Sequence, residues 1–150
     1  MGYEPSICKH YFNDNDESSG LMYVLRQSNS KSFMEDCART DRTRLSAIVK
    51  TAKRIYDHGC SFGFDSGTIK RIRAGRIDVD VFEVRINGSV IRVATYIHDG
   101  WIPIYLFDFD THQGSGNNLQ QRHIARAVAM ALTARDCAAD YDFSEYAGRR

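Results

Sequence analysis

The sequence predicts an α+β domain: a single antiparallel-dominated twisted sheet of about four to five strands, packed against an N-terminal αα-hairpin and followed by a C-terminal helix. Three observations carry this. From Val79 to Asp110, three strand-like segments are joined by Asn87-Gly88 and Asp99-Gly100, dipeptides that supply two positive-φ positions and so signal two-residue type I′ hairpins. Upstream, Ser32-Phe33-Met34-Glu35 has the form of a capping box, and a second stretch repeats apolar residues at helical spacing. Downstream, a further helical pattern runs from about Asn118 to Asp136.

In chain order, residues 1–20 are polar and rich in Asn, Asp, Glu and Ser, an extension ahead of a domain spanning 21–136, with a tail at 137–150. Leu21 to Gln27 reads as the first strand. The capping box then opens a short helix. In the next helix Leu45, Ile48, Val49, Ala52, Ile55 and Tyr56 form a buried stripe, Arg44, Lys50, Lys53 and Arg54 lie on the other side, and Gly59 ends it. Gly63 to Gly67 reads as a loop, and Thr68 to Arg73 as a short strand leading through Ala74-Gly75.

The two turns set a register for the meander. Across Asn87-Gly88, Ile86 pairs with Ser89, Val84 with Ile91 and Phe82 with Val93, which sets Glu83 against Arg92 and Arg85 against Val90. Across Asp99-Gly100, Ile97 pairs with Ile102, Thr95 with Ile104, Val93 with Leu106 and Arg92 with Phe107. The last strand, Trp101 to Asp110, is apolar on both faces in its middle, as in a strand covered on both sides, although Pro103 weighs against full pairing. Thr111 to Asn118 is a polar loop. The final helix places Ile124, Val128, Ala131 and Leu132 on one side, and the acidic tail after it contains Tyr141, Phe143 and Tyr146.

The 150 residues suit one domain with a real core. Twenty Lys and Arg against nineteen Asp and Glu leave a net charge of +1, so a nucleic acid would need a local basic patch and not overall charge. Cys8, Cys37, Cys60 and Cys137 have no metal-site spacing and read as free buried thiols. No cofactor is expected. With no run resembling a signal peptide or a membrane span, a cytoplasmic location without membrane contact is expected.

The helical pair from Phe33 to Gly59, the basic strand Ile69-Lys70-Arg71-Ile72, Phe82-Glu83-Val84-Arg85, Val90-Ile91-Arg92-Val93-Ala94-Thr95-Tyr96 and Pro103-Ile104-Tyr105-Leu106-Phe107-Asp108-Phe109 resemble the RelE/HigB-like toxins of bacterial type II toxin–antitoxin modules. The phage-associated branch of the RelE/ParE superfamily is closest, and the resemblance covers roughly residues 21–135. It implies a RelE-like fold and an endoribonuclease, an mRNA interferase acting in many relatives on the ribosome. It also implies a protein antitoxin, expected to be of the helix-turn-helix type, as partner. The family's Glu-x-Arg strand motif falls on Glu83 and Arg85, its following arginine on Arg92 and its upstream basic residue on Lys70. After the last strand, where many relatives carry paired lysines, this chain has Asp110-Thr111-His112-Gln113-Gly114.

Metal-free RNA cleavage needs a base for the 2′-hydroxyl, an acid for the leaving 5′-oxygen and cations for the phosphorane. Arg85 is the first candidate cation, because a guanidinium meets two phosphate oxygens and stays charged. Arg92 serves either phosphate or Glu83. His112 is the candidate acid or base, and Lys70 completes the catalytic candidates. Lys70, Arg71, Arg73 and Arg76 form a basic run that either attracts RNA or protects a sheet edge. Tyr96 either stacks on a base or packs on Pro103. Two other readings stand beside this one: a non-catalytic toxin-like module that binds protein or nucleic acid, and a metal-dependent hydrolase built on Asp108, Asp110 and His112.

Overall fold

A computed structural model describes residues 5–8, 22–72, 79–111 and 117–150. Along the chain run β1 (Pro5–Cys8), β2 (Tyr23–Gln27), α1 (Phe33–Thr40), α2 (Arg42–His58), α3 (Cys60–Asp65), β3 (Ile69–Arg71), β4 (Phe82–Arg85), β5 (Ile91–His98), β6 (Ile102–Asp110) and α4 (Asn117–Ala139). The strands make one mixed, open sheet in the order β1-β2-β6-β5-β4-β3. Every neighbouring pair is antiparallel except β2 and β6. A parallel pair needs a long crossover, and here everything from α1 to β5 lies between the two strands.

Helices cover both faces of this α+β sheet. On one, Met22, Val24, Val84, Val93 and Tyr105 pack with Met34, Ile48, Ala52 and Ile55 of α1 and α2. On the other, Leu25, Ala94, Ile104 and Phe107 pack with Ala127, Ala131, Ala134 and Ala138 of α4. Strand β6, between two neighbours and two helical layers, is buried from Ile102 through Phe107, which is why its sequence is apolar on both faces. The deepest line of α4 is thus an alanine stripe, with Ile124, Val128 and Leu132 only partly buried beside it. Small side chains let a helix lie close to the strands.

The expected helix signals operate. Ser32 caps α1, its hydroxyl accepting from the Glu35 amide at 3.2 Å. Gly59 closes α2 with φ 94°, and Asp41, a cap the sequence reading did not anticipate, opens it by accepting from the Arg44 amide at 3.0 Å. The stretch expected to be a loop from Gly63 to Gly67 is instead largely α3. Gly63 is there because a Cβ would collide with the Ile69 side chain, so this glycine serves close packing and not a turn.

Both hairpins form, but neither has the expected register. In β4 and β5 the pairs are Phe82 with Thr95, Glu83 with Ala94, Val84 with Val93 and Arg85 with Arg92. Only Gly88 of its dipeptide has positive φ, 72°, so the turn is not type I′. The Ile86 amide reaches the Ile91 carbonyl at 3.1 Å and leaves a loop of four residues, which Ser89 bridges by donating to Ile86 O at 3.0 Å and accepting from the Ile91 amide at 3.1 Å. The offset is two residues, so each side chain keeps its face.

The second turn has the two positive angles expected, Asp99 at 53° and Gly100 at 81°. Trp101 nevertheless stays outside the ladder, and Ile97 pairs with Pro103, Thr95 with Tyr105 and Tyr96 with Ile104. A bulge follows: Thr95 pairs with Tyr105 but Ala94 with Phe107, leaving Leu106 as the extra residue. Beyond it Val93 faces Asp108 and Arg92 faces Phe109. The bulge turns Asp108 and Asp110 towards the face of α1 and α2, and Phe107 and Phe109 towards α4.

The tail is part of the core. Tyr146 is buried and meets Tyr23, Tyr56 and Trp101 with centroids at 5.8, 5.2 and 5.2 Å. The Arg149 amide donates to Tyr56 O at 2.8 Å, and the Arg150 guanidinium lies 4.5 Å from the Trp101 ring centre. Burial first, then neighbouring charges, pushes the Tyr23 hydroxyl up to about 12.

Candidate functional site

Three strands deliver charge to one end of the α4-side face. Lys70, Glu83 and Ala94 form one cross-strand row, and Arg85, Arg92 and Phe109 the next but one. Two arginines directly opposite each other destabilise a sheet unless something neutralises them. Glu83 does so from the diagonal position, its Oε2 lying 3.1 Å from Arg92 Nε and 3.6 Å from Arg85 Nε. The expected facing pair of Glu83 and Arg92 is therefore corrected to a diagonal one, with Arg92 facing Arg85.

The two arginines differ in commitment. Arg92 has a side chain only 16 % exposed, and its Nη1 donates to Ser89 O and Ile91 O at 3.0 Å each. It braces the hairpin loop. The Arg85 side chain is 39 % exposed, and its one ion pair, at 3.6 Å, exceeds hydrogen-bond length. Among the described residues, no hydrogen bond engages its terminal nitrogens. An exposed guanidinium whose Nε lies beside a carboxylate and whose fork is open suits a phosphate.

The other sequence candidates are dispersed. Lys70 is exposed on β3, an edge strand, on the same face and in register with Glu83. Arg71 alternates to the opposite face and pairs with Asp80 at 2.5 Å. Tyr96 shares the face of Arg92 but lies four residues along β5, about 13 Å away at strand rise. There it packs against the α4-side core opposite Ile104, not Pro103. Burial raises its hydroxyl above the usual tyrosine range. His112, Arg73 and Arg76 lie outside the described residues.

Sequence reasoning missed two features. Arg44, expected on the solvated side of α2, reaches β6 and binds Asp108 Oδ2 through Nε at 2.5 Å and Asp110 Oδ1 through Nη1 at 2.9 Å. Burial opposes its charge, but the bonds to both aspartates outweigh that and raise its pKa. The same carboxylate lies 3.7 Å from Cys37 Sγ, and burial together with Asp108 pushes that thiol up to about 11. A metal at Asp108 and Asp110 would have to displace this guanidinium, and no cluster of three or more metal-ligating side chains exists among the described residues.

The second missed feature is the position of His123. The residue stacks on Phe109 with centroids 4.9 Å apart and planes at 24°, on the sheet-facing stripe four residues before Ala127. That spacing was the signal available for it.

Comparison of the chain with known protein families, with curated proteins and with solved structures returns no match. Among the described residues no helix is long and apolar enough to cross a membrane.

Proposed function

We propose that this chain is the toxin of a type II toxin–antitoxin module. On this reading it is a cytoplasmic, metal-independent endoribonuclease with a RelE-like fold, which cuts messenger RNA and is neutralised by a protein antitoxin. The observation that carries the reading is Arg85: an exposed cation with an open fork, beside Glu83 and opposite Arg92 in a three-strand meander. The Glu-x-Arg motif of the resembling toxins falls on these residues, and the element order strand, helices, meander, helix supports it.

In this mechanism the scissile phosphate sits on the Arg85 fork, with Lys70 adding long-range attraction. The 2′-oxygen attacks phosphorus, and Arg85 stabilises the charge that builds on the phosphorane oxygens. Arg92 acts indirectly, by holding Glu83 and the hairpin loop.

A second reading, a module that binds RNA or protein without cutting, is favoured by one observation: Glu83 already offsets part of the charge of both arginines. Induced expression in a bacterium separates the two. The toxin reading expects growth arrest by the wild type, its loss in Arg85→Ala at equal soluble yield, and relief by an antitoxin encoded next to the gene. Harmless accumulation of folded wild-type protein that still retains RNA would favour the binding module.

A further inference from the structure

We propose that the cleft beside the end of β5, walled by Phe64, Phe82 and Tyr96, holds one nucleobase of the RNA strand whose phosphate lies on Arg85; this rests on reading the arginine site as an RNA site. The cleft exists because β5 outruns its neighbour. Strand β4 begins at Phe82, opposite Thr95, whereas β5 continues to His98. Where the two pair, the Ile86 amide bonds to Ile91 O, so alternate residues of β5 from Ile91 turn their N–H and C=O towards β4. Val93 and Thr95 meet Val84 and Phe82 in this way, and Ile97 is next in the series. Its place opposite falls to Asp80. There, however, Val81 O accepts from the Ile72 amide at 2.8 Å and the Asp80 carboxylate pairs with Arg71. Among the described residues no backbone group pairs with Ile97 on this side. On the other side it faces Pro103, which has no N–H to give.

The gap is a cleft of about 330 Å³, lined by Ile97, by the three rings and by the exposed Arg135 and Asp80. Phe64 and Phe82 stand edge to face with centroids at 5.3 Å, and Phe64 is 40 % exposed. One donor beside one acceptor, between aromatic walls, matches the edge and the faces of a nucleobase. Proteins that read single-stranded RNA hydrogen-bond the edges of splayed bases and stack the rings on aromatic side chains. A peptide strand would need a run of open backbone groups. Here there is one pair, because Thr95 is already paired with Phe82 and Asp99 lies in the turn.

The cleft is continuous with the arginine site. Tyr96 lies on the face that carries Arg85 and Arg92, and the cross-strand row of Lys70, Glu83 and Ala94 falls between them. Lys70 is exposed on that row. It offers a cation to the backbone of a strand a few nucleotides long that runs from one site to the other.

The test follows the backbone amide signals of the full chain by NMR as a short single-stranded RNA with 2′-O-methyl riboses, which cannot be cut, is added in EDTA. The Ile97 amide is expected to shift together with that of Arg92. Phe64→Ala should weaken RNA binding about tenfold. Phe62→Ala, which removes an equally exposed ring of the same helix from outside the cleft, should leave binding unchanged. Nucleoside monophosphates alone should shift Ile97 and bind more weakly than the RNA. Where a variant folds poorly, the wild-type shifts carry the test. RNA that shifts Arg92 and not Ile97, or that loses as much affinity from Phe62→Ala as from Phe64→Ala, overturns the base site and leaves the arginine site standing. Monophosphates that bind as tightly as the RNA, or RNA that shifts Ile97 without Arg92, overturn its use for a strand held at the arginines. RNA that shifts neither amide overturns the RNA reading, and this subsite with it.

Discussion

Two arginine clusters occupy opposite faces of the sheet, and they differ in how far their charge is satisfied. Arg44 binds Asp108 and Asp110 through two nitrogens, at 2.5 and 2.9 Å, with all three side chains about four-fifths buried. Arg85 and Arg92 share one carboxylate, that of Glu83. A guanidinium between two aspartates carries no surplus positive charge for an anion, whereas two guanidiniums on one glutamate leave one positive charge unbalanced. The first cluster ties α2 to β6; the second presents charge. A count of basic residues cannot separate them, but the ratio of carboxylates to guanidiniums can.

The largest expected stability effect is at the saturated cluster. Arg44→Ala leaves two largely buried aspartates facing each other, and urea unfolding should show a loss of about 2–3 kcal/mol. A loss below about 0.5 kcal/mol would erase the distinction between the clusters. Arg92→Ala comes next, at about 1–2 kcal/mol, because it removes the bonds to Ser89 and Ile91 and frees Glu83. Arg85→Ala should shift stability by less than about 0.5 kcal/mol, as exposed sites do. A large loss there would assign Arg85 to structure.

The smallest effect is alkaline. Burial pushes Cys60 from 9.0 to about 11, and burial with Asp108 does the same to Cys37. An acid whose pKa is raised by folding keeps its proton longer in the folded protein, so the unfolded chain deprotonates first. Stability contributed by these thiols is full below pH 9 and is lost as pH rises through about 11. The urea midpoint should fall between pH 8 and 10.5 and fall less in Cys60→Ala; a flat midpoint would contradict it.

Much of the fold was legible because its signals are local. Ser32 and Gly59 punctuate the helices through bonds within a few residues, and the alternation in β4 and β5 fixed which side chains share a face. One miss was itself local: Ser89 closes a four-residue loop by bonding to Ile86 and Ile91, where the dipeptide alone pointed to a tighter turn. The rest of what escaped depends on contacts distant in sequence. The bulge at Leu106 decided that Asp108 would meet Arg44 and Phe109 would meet His123. Gly63 read as a turn residue because nothing nearby reveals that Ile69 will press against it. Of the candidate site, Arg85 and Arg92 were legible as neighbours on a face; the bracing role of Arg92 and the approach of His123 from α4 were not.

The central claim is that Arg85 is the phosphate-stabilising cation of a metal-free RNA-cleaving site. Its most direct test is the cleavage rate of a labelled single-stranded RNA in EDTA, wild type against Arg85→Ala, with unfolding of both followed in parallel. The account predicts wild-type products ending in a 2′,3′-cyclic phosphate and a rate at least about 100-fold lower for a variant of unchanged stability. Equal rates for the two proteins, or cleavage by neither, would contradict it.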